Sequence, residues 1–436
     1  MRRPIGQFLL VPVLYAVLVT LFALRTPAWQ APDEPAHYNY VRQVAEGTLL
    51  PIIEEGDWDN ATLEQLKAER FQGELTAAIP AIEYEDHQPP LYYWLAAPIY
   101  MLTDGSLTAL RLFSAVLGLF TLSIAFATAR LLYPNALWVV LGTVAFIAFL
   151  PQHLMILGSV NNDALAGVVM SALLYGCLRY RLRGDVHPAW LGLGLGVVVL
   201  TKTTIYFMAA VVLLTVLLRW RSERASWPQL VRPLLIIALA AGGFALFWFG
   251  RNIHTYGFPD IMGLRAHDDV VVGQLRTADL IAQIGPVDYL IQLKTTTFQS
   301  FWGQFGWMGV PMHNLFFEGE SLAYVYAGAI MLLAGVGLWL GRSRSPLKPD
   351  RRDAHLILLS VAILAVLVFL YYNTQFVQFQ GRYLFSALFP FSLWLALGIN
   401  ALAQRLRRPW LGLAAPLGLA ALAFYVIWRV LPGALG

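Results

Sequence analysis

Residues 91–102 read LYYWLAAPIYML, an uncharged apolar run that follows two prolines. A helix needs roughly 17 to 25 apolar residues to cross the hydrocarbon of a bilayer. At twelve residues this run is too short, so we expect it to lie at the interface or to re-enter on the side from which it came. The rest of the topology depends on this segment, because counting it as a crossing would invert the side of every later loop.

The apolar runs around this segment set the class of protein. Of the 436 residues, 58% are hydrophobic and 13% are charged, against roughly half and a quarter in an average soluble domain. These values exclude a soluble enzyme and predict an all-α, polytopic membrane protein. The one cysteine, Cys177, excludes a disulfide framework and a paired-thiol metal site. The formal charge of +4 gives no indication of nucleic-acid binding.

We predict about eleven transmembrane helices, arranged as one integral membrane domain over residues 1–436. The crossings are predicted near residues 8–24, 106–132, 136–157, 162–180, 189–201, 203–218, 233–250, 321–341, 354–373, 383–403 and 410–430. Residues 1–24 hold the first crossing, 25–105 an outer loop with surface helices, 106–250 helices 2–7, 251–320 a second outer loop and 321–436 helices 8–11. A cleaved signal peptide is the alternative interpretation of residues 8–23.

Charge predicts which side each loop occupies. Two arginines precede the first crossing, and residues 25–89 hold thirteen of the 26 acidic residues against four basic ones. The positive-inside rule therefore places the N-terminus in the cytoplasm and the acidic loop outside. With eleven crossings, the basic clusters that begin at Arg179, Arg219, Arg342 and Arg405 all face the cytoplasm, and the C-terminus lies outside.

The apolar stretch from residue 189 to 218 is interrupted by Thr201-Lys202-Thr203-Thr204. One fused helix would put the clusters at Arg179 and Arg219 on opposite sides, so we predict a hairpin of two short helices whose tip carries Lys202 outward. Interrupted hydrophobic segments often mark binding sites in membrane proteins, and a charge within an apolar stretch indicates function by default. Snorkelling of the lysine from a helix end is the alternative.

Most of the chemically active residues lie in the predicted outer loops. The first loop contains residues 31–40 (APDEPAHYNY) and closes with residues 83–93 (EYEDHQPPLYY). Later outer loops contain Asn161-Asn162-Asp163, Lys202, Arg251, Ser300–Trp307 and Gln378–Tyr383. Acids and cations therefore share one side. A phosphate can bind to lysine or arginine side chains there while a carboxylate such as Asp33 accepts a proton from a hydroxyl.

The order of these motifs resembles the GT-C superfamily of membrane glycosyltransferases that use polyprenyl-phosphate sugars. Pro32-Asp33-Glu34 after a first crossing, followed by His87-Gln88-Pro89-Pro90, is similar to protein O-mannosyltransferases and lipid A aminoarabinose transferases. A largely uncharacterised bacterial membrane family of that superfamily is closer still, through Asp33–His37, Asn161–Asp163, Ser300–Gly303 and Gln380–Tyr383. The resemblance covers about residues 1–400.

The resemblance implies a role for each matching residue. Asp33 would be the catalytic base and Glu34 its catalytic neighbour. Lys202 and Arg382 would bind the donor phosphate, and Arg251, a cation of another outer loop, is a further candidate for that phosphate from its position alone. Substrate contacts would come from His37, Glu85, His87, Asp163 and Trp302. In some relatives the end of the first loop contacts a metal or the donor phosphate. Glu85 and His87 are therefore the candidate ligands of a divalent metal, although one histidine and flanking acids define no ligand set.

Several of these residues also have a purely structural interpretation. An acid before a helical proline is most often a cap, so Asp33 and Glu34 can be capping residues. The other structural roles are a loop-carbonyl contact for His87, a helix cap for Asp163, an interface anchor for Arg382 and an interfacial aromatic belt for Trp302 and Trp307.

The sequence therefore predicts an inverting glycosyltransferase that moves a sugar from a polyprenyl phosphate to an acceptor hydroxyl on the outer face of a bacterial cytoplasmic membrane. Its partners would be the lipid-linked sugar, membrane lipid and an acceptor that is a glycan, a lipid or a protein. A transporter or flippase of lipid-linked glycans is the alternative, and its signature is charge deep in several helices, whereas here charges cluster at helix ends. A catalytically inactive scaffold of the same fold is the third interpretation.

Overall fold

The computed structural model describes residues 5–312, 321–341 and 348–435, which are mostly helical. The first helices are α1 (Ile5–Arg25), α2 (Glu34–Ala45), α3 (Asn60–Ala68), α4 (Leu91–Leu102), α5 (Leu107–Leu132), α6 (Leu137–Phe149), α7 (Pro151–Leu157), α8 (Asp163–Leu182) and α9 (Pro188–Val199). The later helices are α10 (Met208–Glu223), α11 (Trp227–Tyr256), α12 (Leu264–Val270), α13 (Thr277–Trp302), α14 (Leu322–Leu340), α15 (Pro349–Tyr372), α16 (Leu388–Arg405), α17 (Ala414–Tyr425) and α18 (Leu431–Ala434).

Shorter elements connect these helices. Turns of 3-10 helix span Glu74–Ala81, Thr203–Ile205, Gly381–Ala387 and Pro409–Leu413, and a π-helical turn spans Val426–Val430. Two short strands, β1 (Gln304–Phe305) and β2 (Val310–Pro311), pair in antiparallel fashion. Of the basic cluster predicted to begin at Arg342, both Arg342 and Arg344 lie outside the described residues.

Eight helical segments of the described chain are long and apolar enough to cross a membrane, or nine if α6 and α7, which meet at a bend of 62°, form one broken span. All of these segments fall on predicted crossings, so the protein is a multi-pass membrane protein. The two other predicted crossings correspond to shorter apolar helices, Leu9–Arg25 and Pro188–Val199. The count of eleven therefore stays a prediction, as does the side on which the short helix α4 lies.

Contacts at the two ends of α8 show where the chain turns around Lys202. Helix α8 has 20 residues and is therefore about 30 Å long. Its first residue, Asp163, pairs with Lys202 at 2.5 Å. In its last turn, the carbonyl of Tyr180 accepts a hydrogen bond from Arg219, near the end of α10, at 3.3 Å. The chain therefore turns back at Lys202 between α9 and α10, which confirms the predicted hairpin and puts the arginine cluster of α10 at the opposite end from Lys202.

The predicted first outer loop folds into a cap with its own core. Helix α2 is largely buried within the protein, with Tyr40 fully covered, and packs against α4, while its position on the membrane surface stays a prediction. A separate apolar cluster that includes Leu66, Phe71 and Ile82 joins α3 to the following 3-10 turn. The loop therefore presents its polar residues on a packed framework.

The predicted second outer loop, residues 251–320, is largely helical over its described residues. Helix α13 is 26 residues long but is interrupted at Gly285, whose φ is 81°, and Pro286 follows. The charges of Asp288 and Lys294 lower its hydropathy. These features explain why the sequence pattern indicated a loop here.

A labelling experiment tests the predicted sides of the membrane. Cys177 is fully buried, so the native thiol should not react and any labelling reports the added cysteine. In intact cells, a membrane-impermeant maleimide should label a cysteine at the exposed position Glu55 directly, and one at the exposed position Ser222 only after permeabilisation. The reason is that the two positions lie at opposite ends of the bundle. Labelling of both variants in intact cells would contradict the predicted topology.

Candidate active site

Asp33 lies at the start of α2, where its backbone adopts a left-handed φ of 66°, uncommon for a residue with a side chain. Within the described structure its carboxylate caps no helix. It forms an ion pair with Arg382 and accepts a hydrogen bond from the Tyr84 hydroxyl at 2.8 Å. This geometry excludes the capping interpretation of Asp33.

Glu34 is fully buried and fixes this part of the backbone. Its two carboxylate oxygens accept hydrogen bonds from Arg111 at 2.7 and 2.6 Å. The backbone amides of Trp29 and Val160 donate to the same carboxylate at 3.1 and 3.2 Å. Arg111 also donates to the carbonyls of Ala23, Thr26 and Pro27. Because both oxygens are occupied within the protein, the geometry favours a structural role for Glu34 over the expected catalytic one.

Arg382, the partner of Asp33, is positioned by a glycine that lets its turn pack against α13. The amide of Gly381 donates to the Ser300 hydroxyl at 2.7 Å. A Cβ at Gly381 would collide with the backbone of Phe301, so this close approach needs glycine. Arg382 in turn donates from Nε to the side chain of Gln380 at 2.7 Å.

Lys202 is the second buried cation, with 7% of its surface exposed. Its Nζ donates to Asn162 Oδ1 at 2.7 Å and to Asp163 Oδ1 at 2.5 Å. A buried, paired lysine does not snorkel, so that alternative fails. Asp163, one of the expected substrate contacts, balances the charge of Lys202 just as Asp33 balances that of Arg382.

His37 lies beside the first ion pair, with a ring nitrogen within 4.8 Å of a carboxylate oxygen of Asp33, and the charges of both ion pairs affect its pKa. Its ring is 2% exposed, and Nδ1 shares a hydrogen bond of 2.9 Å with the Tyr93 hydroxyl. Burial, together with the two cations, lowers the pKa of His37 to about 3 against the opposing effect of the two carboxylates. The ring is therefore neutral near neutral pH.

The pKa of the Asp33 carboxyl reflects its ion pair. Burial raises this pKa, but the Arg382 guanidinium, assisted by His37 and the Tyr84 hydroxyl, lowers it well below its usual range. Asp33 is therefore ionised, yet it is a weak base for as long as the guanidinium stays beside it.

Glu85 faces the same centre. Burial, and then the charge of Asp33, raise the pKa of Glu85 to about 8, so it holds a proton at neutral pH. Asp33, His37 and Glu85 each offer one ligand atom, and these atoms lie within 4.8 Å of one another, as a divalent metal would require. A metal here would compete with Arg382 for Asp33.

Three predicted site residues lie in structural positions instead. His87 Nδ1 shares a hydrogen bond of 3.1 Å with the carbonyl of Tyr84 and is outside the possible ligand group, as its structural interpretation predicted. Arg251 donates to the carbonyl of Leu50 at 3.3 Å, which ties α11 to the first loop. Trp302 is 2% exposed in the main hydrophobic core, so it neither forms an interfacial belt nor offers a face to a sugar.

Two tyrosines that the sequence analysis did not single out complete the site. The Tyr84 hydroxyl donates to Asp33, and the Tyr93 hydroxyl contacts His37 and accepts from Asn162 at 3.3 Å. The ring of Tyr93 stacks on a neighbouring tyrosine with centroids 3.6 Å apart. Both residues lie in the quoted 83–93 stretch, but nothing in their spacing distinguishes them from the other 17 of the 19 tyrosines.

Comparison with known proteins identifies the fold. Residues 87–248 match the family profile described as dolichyl-phosphate-mannose-protein mannosyltransferase. No curated protein matches the chain in sequence. Among solved structures, apo ArnT from Cupriavidus metallidurans is 16% identical, with a TM-score of 0.53, over 93% of this chain and 62% of that one. The chain thus spans less than two thirds of that relative.

A second structure of ArnT from the same organism is bound to undecaprenyl phosphate. It is 16% identical, with a TM-score of 0.51, over 99% of this chain and 74% of that one. These similarities confirm the predicted GT-C fold.

The buried pair of Glu34 and Arg111 should dominate local stability. Glu34→Gln should lower the thermal stability of the purified protein sharply, because removing one partner of a buried ion pair costs roughly 3 to 5 kcal/mol. Arg111→Met should cost about as much, and the double variant should recover part of the loss because it leaves no charge unpaired. Thermal unfolding in detergent is the measurement.

The control for these three variants is Glu64→Gln, which removes a carboxylate that is 60% exposed. This change should hardly alter the thermal stability. A Glu34→Gln variant as stable as this control would show that the buried pair does not hold the start of α2.

Proposed function

We propose that this protein is an inverting glycosyltransferase that moves a sugar from a polyprenyl-phosphate donor to an acceptor hydroxyl. One observation carries the proposal: two buried cations, Arg382 and Lys202, each lie against a carboxylate, and both influence the buried His37. A fold shared with a protein that has been solved with undecaprenyl phosphate supports the class of donor.

The two cations are suited to bind the donor phosphate. Charged hydrogen bonds from guanidinium or ammonium groups to phosphate oxygens are roughly twice as strong as neutral ones. Here Asp33 and Asp163 balance Arg382 and Lys202. Donor binding would therefore exchange partners, because the phosphate takes over both cations and releases the carboxylates.

This exchange would turn Asp33 into an effective base. Without the guanidinium beside it, its pKa rises, and the carboxylate accepts the proton of the acceptor hydroxyl. The hydroxyl oxygen then attacks the anomeric carbon while the bond from that carbon to the phosphate oxygen breaks. The lipid phosphate leaves with the electron pair, and Lys202 and Arg382 stabilise its charge.

We further propose that the site faces the outside of a bacterial cytoplasmic membrane. The arginine clusters at Arg179 and Arg219 lie at the opposite end of the bundle from Lys202. The positive-inside rule assigns that opposite end to the cytoplasm. Acceptors and lipid-linked sugars would therefore meet on the outer face.

Replacing the proposed base should separate an enzyme from a transporter. Asp33→Asn should lower the rate of sugar transfer at least about 100-fold, since general bases typically contribute about 100 to 10,000-fold. Asparagine keeps the size of the side chain and tolerates a left-handed backbone. Donor affinity should hold or rise, because Arg382 loses its competing carboxylate. Transfer from a synthetic polyprenyl-phosphate sugar and donor binding should be measured on the same preparation.

The matched control is Asp86→Asn, which changes a buried carboxyl of the same loop that accepts from Gln43 at 2.6 Å. It should retain transfer. Full activity in Asp33→Asn would remove Asp33 as the base. Wild-type protein that moves lipid-linked glycan across a vesicle membrane without transferring sugar would favour the flippase.

Lys202 and Asp163 should have opposite effects on donor affinity. Lys202→Met should weaken polyprenyl-phosphate binding roughly tenfold to a hundredfold, which corresponds to about 1.5 to 3 kcal/mol for hydrogen bonds to a charged group. Asp163→Asn should tighten binding, because it frees the ammonium group. Binding of a labelled polyprenyl phosphate in detergent measures both, and the double variant reports whether the fold tolerates the changes. Unchanged affinity in both single variants would return Lys202 to a structural role.

A further inference from the structure

A cavity lies at the end of the bundle opposite Asp33. Its volume is about 480 Å³, and it opens to the surface between the ends of α8 and α10 and the beginnings of α9 and α11. Its walls include Tyr180 and Trp220 and four charged residues, Asp185, Arg219, Glu223 and Arg232. Because α8 is about 30 Å long, this cavity is separate from the candidate active site.

The chain around this cavity carries a strong excess of positive charge. Residues 179–188 and 216–233 contain seven arginines and two acidic residues. Both acids, Asp185 and Glu223, already pair with arginines, at 2.5 and 2.8 Å. Arginines that form no ion pair with any described residue include Arg221, Arg224 and Arg232. The lining itself holds both of these acids beside Arg219 and Arg232, so the excess of positive charge comes from the unpaired Arg232 and from arginines of the surrounding chain.

Tryptophans locate the cavity relative to the membrane. Trp190 and Trp227, in the first turns of α9 and α11, are each 68% exposed. The ring of Trp227 lies 5.2 Å from that of Trp220, which lines the cavity. Exposed tryptophans of transmembrane helices sit at the level of the lipid headgroups. These exposed rings indicate a depth near the lipid phosphates for the cavity.

Arg219 is held in place on one wall of the cavity. Its guanidinium lies 4.4 Å above the ring of Tyr180 and donates to the carbonyl of the same residue at 3.3 Å. Gly184 leaves room for this guanidinium, because a Cβ there would lie 3.3 Å from Nη2 of Arg219. The φ of 68° at this position also favours glycine. Arg232, on α11, is exposed on another wall.

We propose that this cavity binds the phosphate headgroup of an anionic phospholipid of the surrounding bilayer. A fixed arginine and an unpaired arginine on two walls match the geometry of arginine–phosphate recognition. Basic pockets between transmembrane helices bind acidic headgroups in this way. The apolar residues Val216 and Pro233 in the lining suit the glycerol and acyl part of a lipid rather than free phosphate. The bound lipid would bridge α9, α10 and α11.

The test compares lipids on the purified full-length protein. In nanodiscs of phosphatidylcholine, added phosphatidylglycerol should raise the thermal unfolding temperature, and native mass spectrometry should show a retained phosphatidylglycerol molecule. Arg232→Ala should weaken this binding about tenfold, because it removes one charged contact to the phosphate. Arg407→Ala, an exposed arginine outside the cavity, is the matched control and should change nothing.

Three results would overturn the proposal. The first is equal stabilisation by the anionic and the neutral lipid. The second is equal loss of binding in Arg232→Ala and Arg407→Ala, which would indicate general attraction to a charged surface. The third is full stabilisation by inorganic phosphate alone, which would assign the cavity to a free anion. Since the readouts are binding and unfolding, the result does not depend on sugar transfer.

Discussion

The buried ion pair between Glu34 and Arg111 is the constraint on which the candidate site depends. It joins α2 to α5, and the further bonds of Arg111 reach the last turn of α1 and the chain that follows it. The amide of Val160 brings the segment before α8 to the same carboxylate. These contacts fix the start of α2, where Asp33 adopts its left-handed backbone and meets Arg382. Two adjacent acids thus have different environments and, in our account, different roles.

The second organising feature is the balance of charge around His37. Arg382 and Lys202 are buried cations, and each has a carboxylate as its partner. Buried charges are tolerated only when they are paired. The site can therefore exchange one anion for another at little cost, and a phosphate is such an anion. Under the proposed function, Asp33 becomes an effective base only once the donor is bound. The reaction should therefore be ordered, with the donor binding first.

Much of the fold was predictable because transmembrane helices require long apolar runs. The predicted hairpin at Lys202 also followed from charge on either side of it, and the structure shows that turn. Helix α13 was missed because Gly285 interrupts it and charged residues lower its hydropathy. Sequence could not separate Asp33 from Glu34, since neighbouring acids look alike until their partners are known. Arg111 was not predicted to belong to the site. Its charge inside the predicted crossing 106–132 nevertheless indicated a buried partner.

A structure of the protein with a polyprenyl phosphate bound tests the central claim most directly. The account predicts phosphate oxygens within hydrogen-bond distance of both Arg382 and Lys202. It also predicts that Asp33 has separated from Arg382, so that its carboxylate faces the space beside the phosphate where an acceptor hydroxyl would enter. A phosphate bound away from these cations, with the ion pair of Asp33 and Arg382 intact, would contradict the account.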